Sequence, residues 1–187
     1  MCIRDSAAAL ESAGCAVRRH FLQAEVDFAV TDSILSSITP EVDMVFLCQP
    51  NNPTGQLTPL PLVERILRRC EACGALLVVD ECFLDFLPDC NALTAKALLD
   101  SKNLLILKAF TKLYGMAGVR LGYALCSNTA LLAKMQAAGQ PWGVSSLAQA
   151  AGAAALRETA YADAVRALIA DPVSYTHLRA HETTLHL

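Results

Sequence analysis

Three short apolar runs, each stopping at or just before a polar residue, constrain this chain more than any other feature. They are MVFLCQ (Met44 to Gln49), ALLVVD (Ala75 to Asp80) and NLLILKAF (Asn103 to Phe110). Runs this short and this continuously apolar suit strands buried on both faces, as a parallel sheet requires. Between the first two, LVERILRRCEAC carries apolar residues at helical spacing, with Thr58 as a candidate cap, Pro59 and Pro61 tolerated in the first turn and Gly74 as the stop. VRLGYALCS (Val119 to Ser127) predicts a fourth strand. Upstream, AAALESAGCAV predicts a helix ended by Gly14, AVRRHFL (Ala16 to Leu22) a short edge strand, and VTDSILSSI another helix. Downstream, TALLAKMQAAG and SSLAQAAGAAALRETAYADAVRALIA read as helices. Strands alternating with helices in units of about 30 residues imply βαβ crossovers. The expectation is an α/β fold, a mostly parallel sheet with helices on both faces.

With 54% hydrophobic and 18% charged residues, a chain of 187 residues can build one sizeable core and is not disordered. No apolar run approaches the roughly 20 residues of a membrane span, and the opening MCIRDS has no apolar stretch of a signal peptide. Eight cysteines without a tight framework suit a reducing compartment, so the expected location is cytoplasmic. A net charge of −3 without a basic stripe argues against nucleic acid and leaves small-molecule chemistry. The two ends look foreign: MCIRDS (1–6) and PVSYTHLRAHETTLHL (172–187) resemble translated adapter read-through, and omitting them leaves the net charge unchanged. That removes His177, His181 and His186, which otherwise suggest a metal; no acidic partner sits at a ligand spacing, so none is expected.

In open parallel sheets ligands gather where strands end. The first run here leads into QPNNPTG with Asn51 and Asn52, the second ends at Asp80-Glu81, and the third leads to Thr111-Lys112. The spacings of 28 and 32 positions from Asn52 to Asp80 to Lys112 each match one βαβ unit, so all can meet at one crevice. Each piece alone has an ordinary reading: NNPTG as a turn, the acid as a helix cap, the lysine as a solvated surface group. Together they form a constellation of amide, acid, lysine and arginine. No G-x-G-x-x-G follows the first strand, and no loop ends in Gly-Lys-Ser/Thr, which disfavours nicotinamide and nucleotide-hydrolase readings.

NNPTG, VVDECF and TKLYGMAGVRLGY resemble, in order and spacing, the class I/II aminotransferase family of fold type I pyridoxal-phosphate enzymes, over residues 7–171. The resemblance implies pyridoxal 5′-phosphate as cofactor. It makes Lys112 the catalytic amine that forms the Schiff base and moves protons at the substrate α-carbon. Arg120 and the Thr111 hydroxyl would hold the cofactor phosphate, with Gly115 and Gly118 allowing the backbone to turn around it. Asp80 would pair with the pyridinium nitrogen, and Asn52 would donate to the phenolate oxygen across a bond to Pro53 that is often cis in this family. Phe83, three residues after the acid, stands where many members have Tyr, and Ala109 where many have Ser or Thr. Lys108 has no family role and reads as peripheral, and the Cys70-x-x-Cys73 pair as packing.

GCAVRRHFL, DECFLDFLPD and QPWGVSSLAQAAGAAAL look most like threonine-phosphate decarboxylases of cobalamin biosynthesis, themselves similar to histidinol-phosphate aminotransferases. That likeness implies a small phosphorylated amino acid or amine as substrate, with Trp142, Ser145 and Ser146 near the cavity wall, and a homodimer when intact. A non-catalytic regulator of the same fold is the alternative from another class. The family's glycine-rich phosphate loop should precede residue 7 and its substrate-carboxylate arginine should lie in a later domain. Residues 7–171 then correspond to the central part of the large domain and the start of the helix toward a small domain, a fragment expected to be inactive alone.

Overall fold

The computed structural model describes residues 3–170, with side chains from Ser6 onward. Four strands form one sheet in the order β1 (Met44–Cys48), β2 (Leu76–Asp80), β3 (Leu104–Ala109) and β4 (Gly122–Leu125). The first three are parallel, as their buried character predicts, and β4 runs antiparallel to β3. That reversal follows from chain length. A parallel return needs a crossover, usually helical, whereas 110–121 holds only a single 3-10 turn at Ala117–Val119.

The helices are α1 (Ile3–Ser12), α2 (Ile34–Ser37), α3 (Leu60–Cys73), α4 (Cys90–Leu93), α5 (Thr129–Ala138), α6 (Ser146–Ala155) and α7 (Thr159–Ala170). Helix α3 buries Leu62, Val63, Ile66, Leu67 and Cys70 as one stripe. The stripe packs on Leu47, Leu77, Val79, Leu104 and Ile106, the alternate residues of β1 to β3, so the period of 3.6 meets the period of 2 across one core. The opposite sheet face is covered as well, since Val78 and Leu105 are buried. A smaller cluster joins Phe110 and Leu121 to Ala148 of α6. No helix among the described residues is long and apolar enough to cross a membrane.

Four local expectations are corrected. Residues 16–22 form no strand: Arg18 and Arg19 bond Glu41 and Glu11 at the surface, and Phe21 is exposed, so no alternation drives the segment onto a sheet edge. The helix in 30–38 shrinks to the four residues of α2, because Ile38 turns extended and buries itself under Arg69, whose Nε donates to its carbonyl. Thr58 does not cap α3, whose N-cap is Pro59; its backbone is taken by Gln49 instead. The long C-terminal pattern breaks at 156–158 into α6 and α7. Gly74, by contrast, ends α3 in the left-handed region as expected, with its N–H donating to the carbonyls of Cys70 and Glu71. Helix α1 spans both sides of the 6/7 boundary, and 172–187 lies outside the described residues.

Candidate active site

Parallel register sets the geometry. Cys48, Asp80 and Leu107 stand side by side at the carboxyl ends of β1, β2 and β3, so the chain leaving each strand emerges along one edge. After β1, the buried Gln49 side chain closes the loop: its Oε1 accepts from Thr58 N at 2.9 Å and its Nε2 donates to Thr58 O at 2.7 Å. Inside that loop Asn51 Nδ2 donates to Thr54 Oγ1 at 2.7 Å, and Gly55, with φ of 73°, donates to Asn51 O. The Gln49–Pro50 and Asn52–Pro53 bonds are both cis, and Asn52 sits half-buried at the bend.

Asp80 is 6% exposed and ends β2. Its Oδ1 accepts from Cys82 N at 3.0 Å, and its carbonyl accepts from Gln49 N. The Cys82 thiol, pushed up to about 12 by burial and then by the Asp80 carboxylate beside it, stays neutral. Asp80 is thereby held as an oriented acceptor. Three residues on, Phe83 presents its ring to Lys112, whose Nζ lies 4.6 Å from the centroid. That is cation–π geometry: the ring face attracts the ammonium where a hydroxyl would have offered a hydrogen bond.

The turn carrying Thr111 and Lys112 is pinned at several points. Phe110 N donates to Leu121 O, Met116 N to Phe110 O, and Gly115 N to Lys112 O at 2.9 Å. Gly115 needs its freedom, with φ of 62°, whereas Gly118 lies within the 3-10 turn and does not. Arg120 is exposed, adopts φ of 55°, and donates from Nη1 to Ala117 O. Among the described residues no carboxylate pairs with Lys112 or Arg120. The edge therefore offers a buried anion at one strand end and, one strand over, an amine, a hydroxyl and a guanidinium unneutralised by acid. That donor set fits a ligand with a protonated ring nitrogen, an aldehyde and a phosphate. Asp80, Cys82, Phe83 and Lys112 form a linked chain of contacts. Asn52 and Arg120 share the edge without bonding directly to Asp80 or Lys112.

Lys108 is not peripheral. Its side chain is 2% exposed, with Nζ 2.7 Å from Asp85 Oδ1 and 3.0 Å from Glu81 Oε2. Burial alone would lower this ammonium, but the hydrogen bond to Asp85 and the charges of Glu81 and Asp85 outweigh it and hold the group above the usual lysine value. Its place inside a buried strand was the signal, because a lysine there requires an acid partner. Ser145 serves as the N-cap of α6, accepting from Ala148 N at 3.1 Å, Ser146 is the first residue of that helix, and Trp142 is 97% exposed. Cys70 packs in the core with its thiol raised to about 11, by burial and then by Cys73 and Glu71, and Cys73 donates to Ile38 O. Among the described residues no disulfide forms, and no group of three or more His, Cys, Asp and Glu could hold a metal; His177, His181 and His186 lie outside them.

The model of aminotransferase class I and II matches residues 7–175. The threonine-phosphate decarboxylase of Salmonella typhimurium is 40% identical over 156 residues, covering 83% of this chain and 43% of that protein. The histidinol-phosphate aminotransferase of Sinorhizobium meliloti, solved with pyridoxal-5′-phosphate, is 32% identical with a TM-score of 0.59, covering 70% of this chain and 35% of that one. The histidinol-phosphate aminotransferase from Clostridium acetobutylicum superposes with a TM-score of 0.82 over 92% of this chain and 51% of that one, at 24% identity, a likeness of fold. The chain thus spans about half, or less, of each of these three proteins. With the strand-end acid, the lysine turn and the arginine all on one edge of a mostly parallel sheet, the chain belongs to the class I and II aminotransferase family.

Proposed function

We propose that residues 7–171 are the central, cofactor-holding part of a pyridoxal 5′-phosphate enzyme that decarboxylates threonine phosphate, with 1–6 and 172–187 not native to it. The carrying observation is the convergence of Asp80, Phe83 and Lys112 on one sheet edge, beside the acid-free cation Arg120. When bound, the cofactor supplies an electron sink that stabilises negative charge at the substrate α-carbon. Asp80, oriented by the Cys82 N–H, would pair with the ring nitrogen and keep it protonated. Lys112 would hold the cofactor at its aldehyde end and hold or move the proton at the substrate α-carbon. Arg120 and Thr111 would hold the phosphate, and Asn52 would donate to the ring's phenolate oxygen.

Decarboxylation is preferred to amino-group transfer on two grounds: the likeness to the Salmonella decarboxylase covers most of this chain, and Phe83 replaces a ring hydroxyl with a ring face against Lys112. The complete enzyme is read as a cytoplasmic homodimer in cobalamin biosynthesis acting on a small phosphorylated amino acid. Assaying one preparation for carbon dioxide release from threonine phosphate and for amino transfer from histidinol phosphate to 2-oxoglutarate tests this. Release of carbon dioxide as the faster reaction is expected. Efficient transamination without carbon dioxide would establish the histidinol-phosphate aminotransferase reading instead, and a protein without any lysine-fixed chromophore would be a non-catalytic module.

A further inference from the structure

The side chains of Lys108, Glu81 and Asp85 make one ionic cluster on the face of the sheet opposite Asp80. Glu81 is fully buried and directly follows Asp80. Its carboxylate also accepts from Thr94 Oγ1 and from Ala95 N, each at 2.7 Å, and its own N–H donates to Leu107 O at 3.0 Å. Asp85 lies in the 3-10 turn Leu84–Phe86, immediately after Phe83 and its loop, and its carbonyl accepts from Arg166 Nε of α7 at 2.8 Å. Lys108 is on β3, four residues before Lys112. One ammonium therefore joins the residue beside Asp80, the loop bearing Phe83 and the strand that delivers Lys112, while Arg166 adds α7 to the same loop.

We infer that Lys108 is a positioning residue for the cofactor: through Glu81 and Asp85 it sets the span between the Asp80 carboxylate and the Lys112 amine, which must meet opposite ends of one rigid ring. The cluster is suited to this because it holds polar groups in a single geometry. A buried ammonium finds a low-energy place only where both carboxylates converge, whereas apolar contacts at the same spot tolerate sliding. It also touches neither ring nor substrate, lying behind the sheet. The inference rests on the proposed roles of Asp80 and Lys112.

The test uses the complete enzyme and titrates pyridoxal 5′-phosphate, following visible absorbance across pH, with circular dichroism and thermal unfolding as folding controls. Lys108→Met is expected to weaken cofactor affinity about tenfold or more and to move the pH midpoint of the absorbance change, as a displacement of a reacting group near 1 Å does. Lys108→Arg, which keeps the charge in a bulkier side chain, is expected to retain part of the affinity that Lys108→Met loses. A folded Lys108→Met with unchanged affinity and spectrum overturns the inference, as does an arginine variant impaired as severely as the methionine one. Should the methionine variant not fold, Asp85→Asn decides. It leaves the Lys108–Glu81 pair in place at the buried end, and an unchanged affinity and spectrum there overturns the inference equally. The Lys112→Ala control separates the two levels: a borohydride-fixed label that survives in it removes the reading of Lys112 itself, whatever Lys108 does.

Discussion

At the scale of single residues, the site depends on side chains whose partners are backbone. Gln49 is the clearest case, since its amide satisfies both the N–H and the C=O of Thr58 and so fixes the span of the loop that carries Asn52. Gln49→Ala leaves both groups buried without partners, and a loss of about 2 kcal/mol in urea unfolding is expected, with weakened cofactor binding in the complete enzyme. Lys112→Ala should behave oppositely. The side chain is half-buried, makes no ion pair among the described residues and loses only its contact with the Phe83 ring, so unfolding should change by no more than about 1 kcal/mol while the visible absorbance fixed by borohydride disappears. Finding that label on Lys108 by peptide mapping would contradict the assignment, and the double ion pair at Lys108 makes that amine a poor nucleophile.

At the scale of elements, the antiparallel β4 is held against β3 by close backbone approach. Gly122 pairs with Ala109, and a Cβ at Gly122 would stand 2.9 Å from the Lys108 carbonyl oxygen, which cannot rotate away. Gly122→Ala is expected to cost about 1 to 3 kcal/mol and to disturb the turn between the strands, where Thr111, Lys112 and Arg120 lie. Chemical denaturation measures the first effect; loss of cofactor affinity beyond that seen with an equally destabilising change in α3 measures the second. A smaller effect belongs to α6, whose Gly152 lies against Leu121 and Phe110 so closely that an added methyl would meet Leu121 Cδ2 at 2.3 Å. There the leucine end can shift, and β4 is the element under greater constraint.

At the scale of the whole molecule, the resolved shifts all point upward: Cys70, Cys82, Lys108, Tyr114 and Tyr123 hold their protons more tightly folded than unfolded. Each such group contributes stability that is complete below its unfolded pKa and is lost as pH rises through its folded one. The window opens at 9.0, where unfolded cysteines ionise, and extends to about 11 for Cys70 and about 12 for Cys82, with Lys108 adding its share above 10.5. Urea midpoints should therefore hold steady between pH 7 and 8.5 and fall steadily above pH 9. A midpoint that rises between pH 9 and 11 would show that the buried thiols and Lys108 do not keep their protons.

The three parallel strands, helix α3 with its glycine stop, and the residues at the strand ends were legible in the chain itself. Each is written locally: a buried strand is a continuous apolar run, a helix a stripe at 3.6 spacing, and a strand-end site a polar residue where such a run stops. Other features were decided only by tertiary structure. AVRRHFL had strand character, yet no sheet edge received it, because Arg18 and Arg19 found carboxylates at the surface. Thr58 had the chemistry of a cap and lost that role to Pro59, since Gln49 claimed its backbone. The direction of β4 came from the short connection before it, and the face of Phe83 met Lys112 only once β2 and β3 were in register. Lys108 shows the difference most directly. Along the chain it is a lysine in an apolar run, and its partners are 23 and 27 residues away. Local pattern records what each segment must bury; which buried charge meets which acid is set only when the strands align.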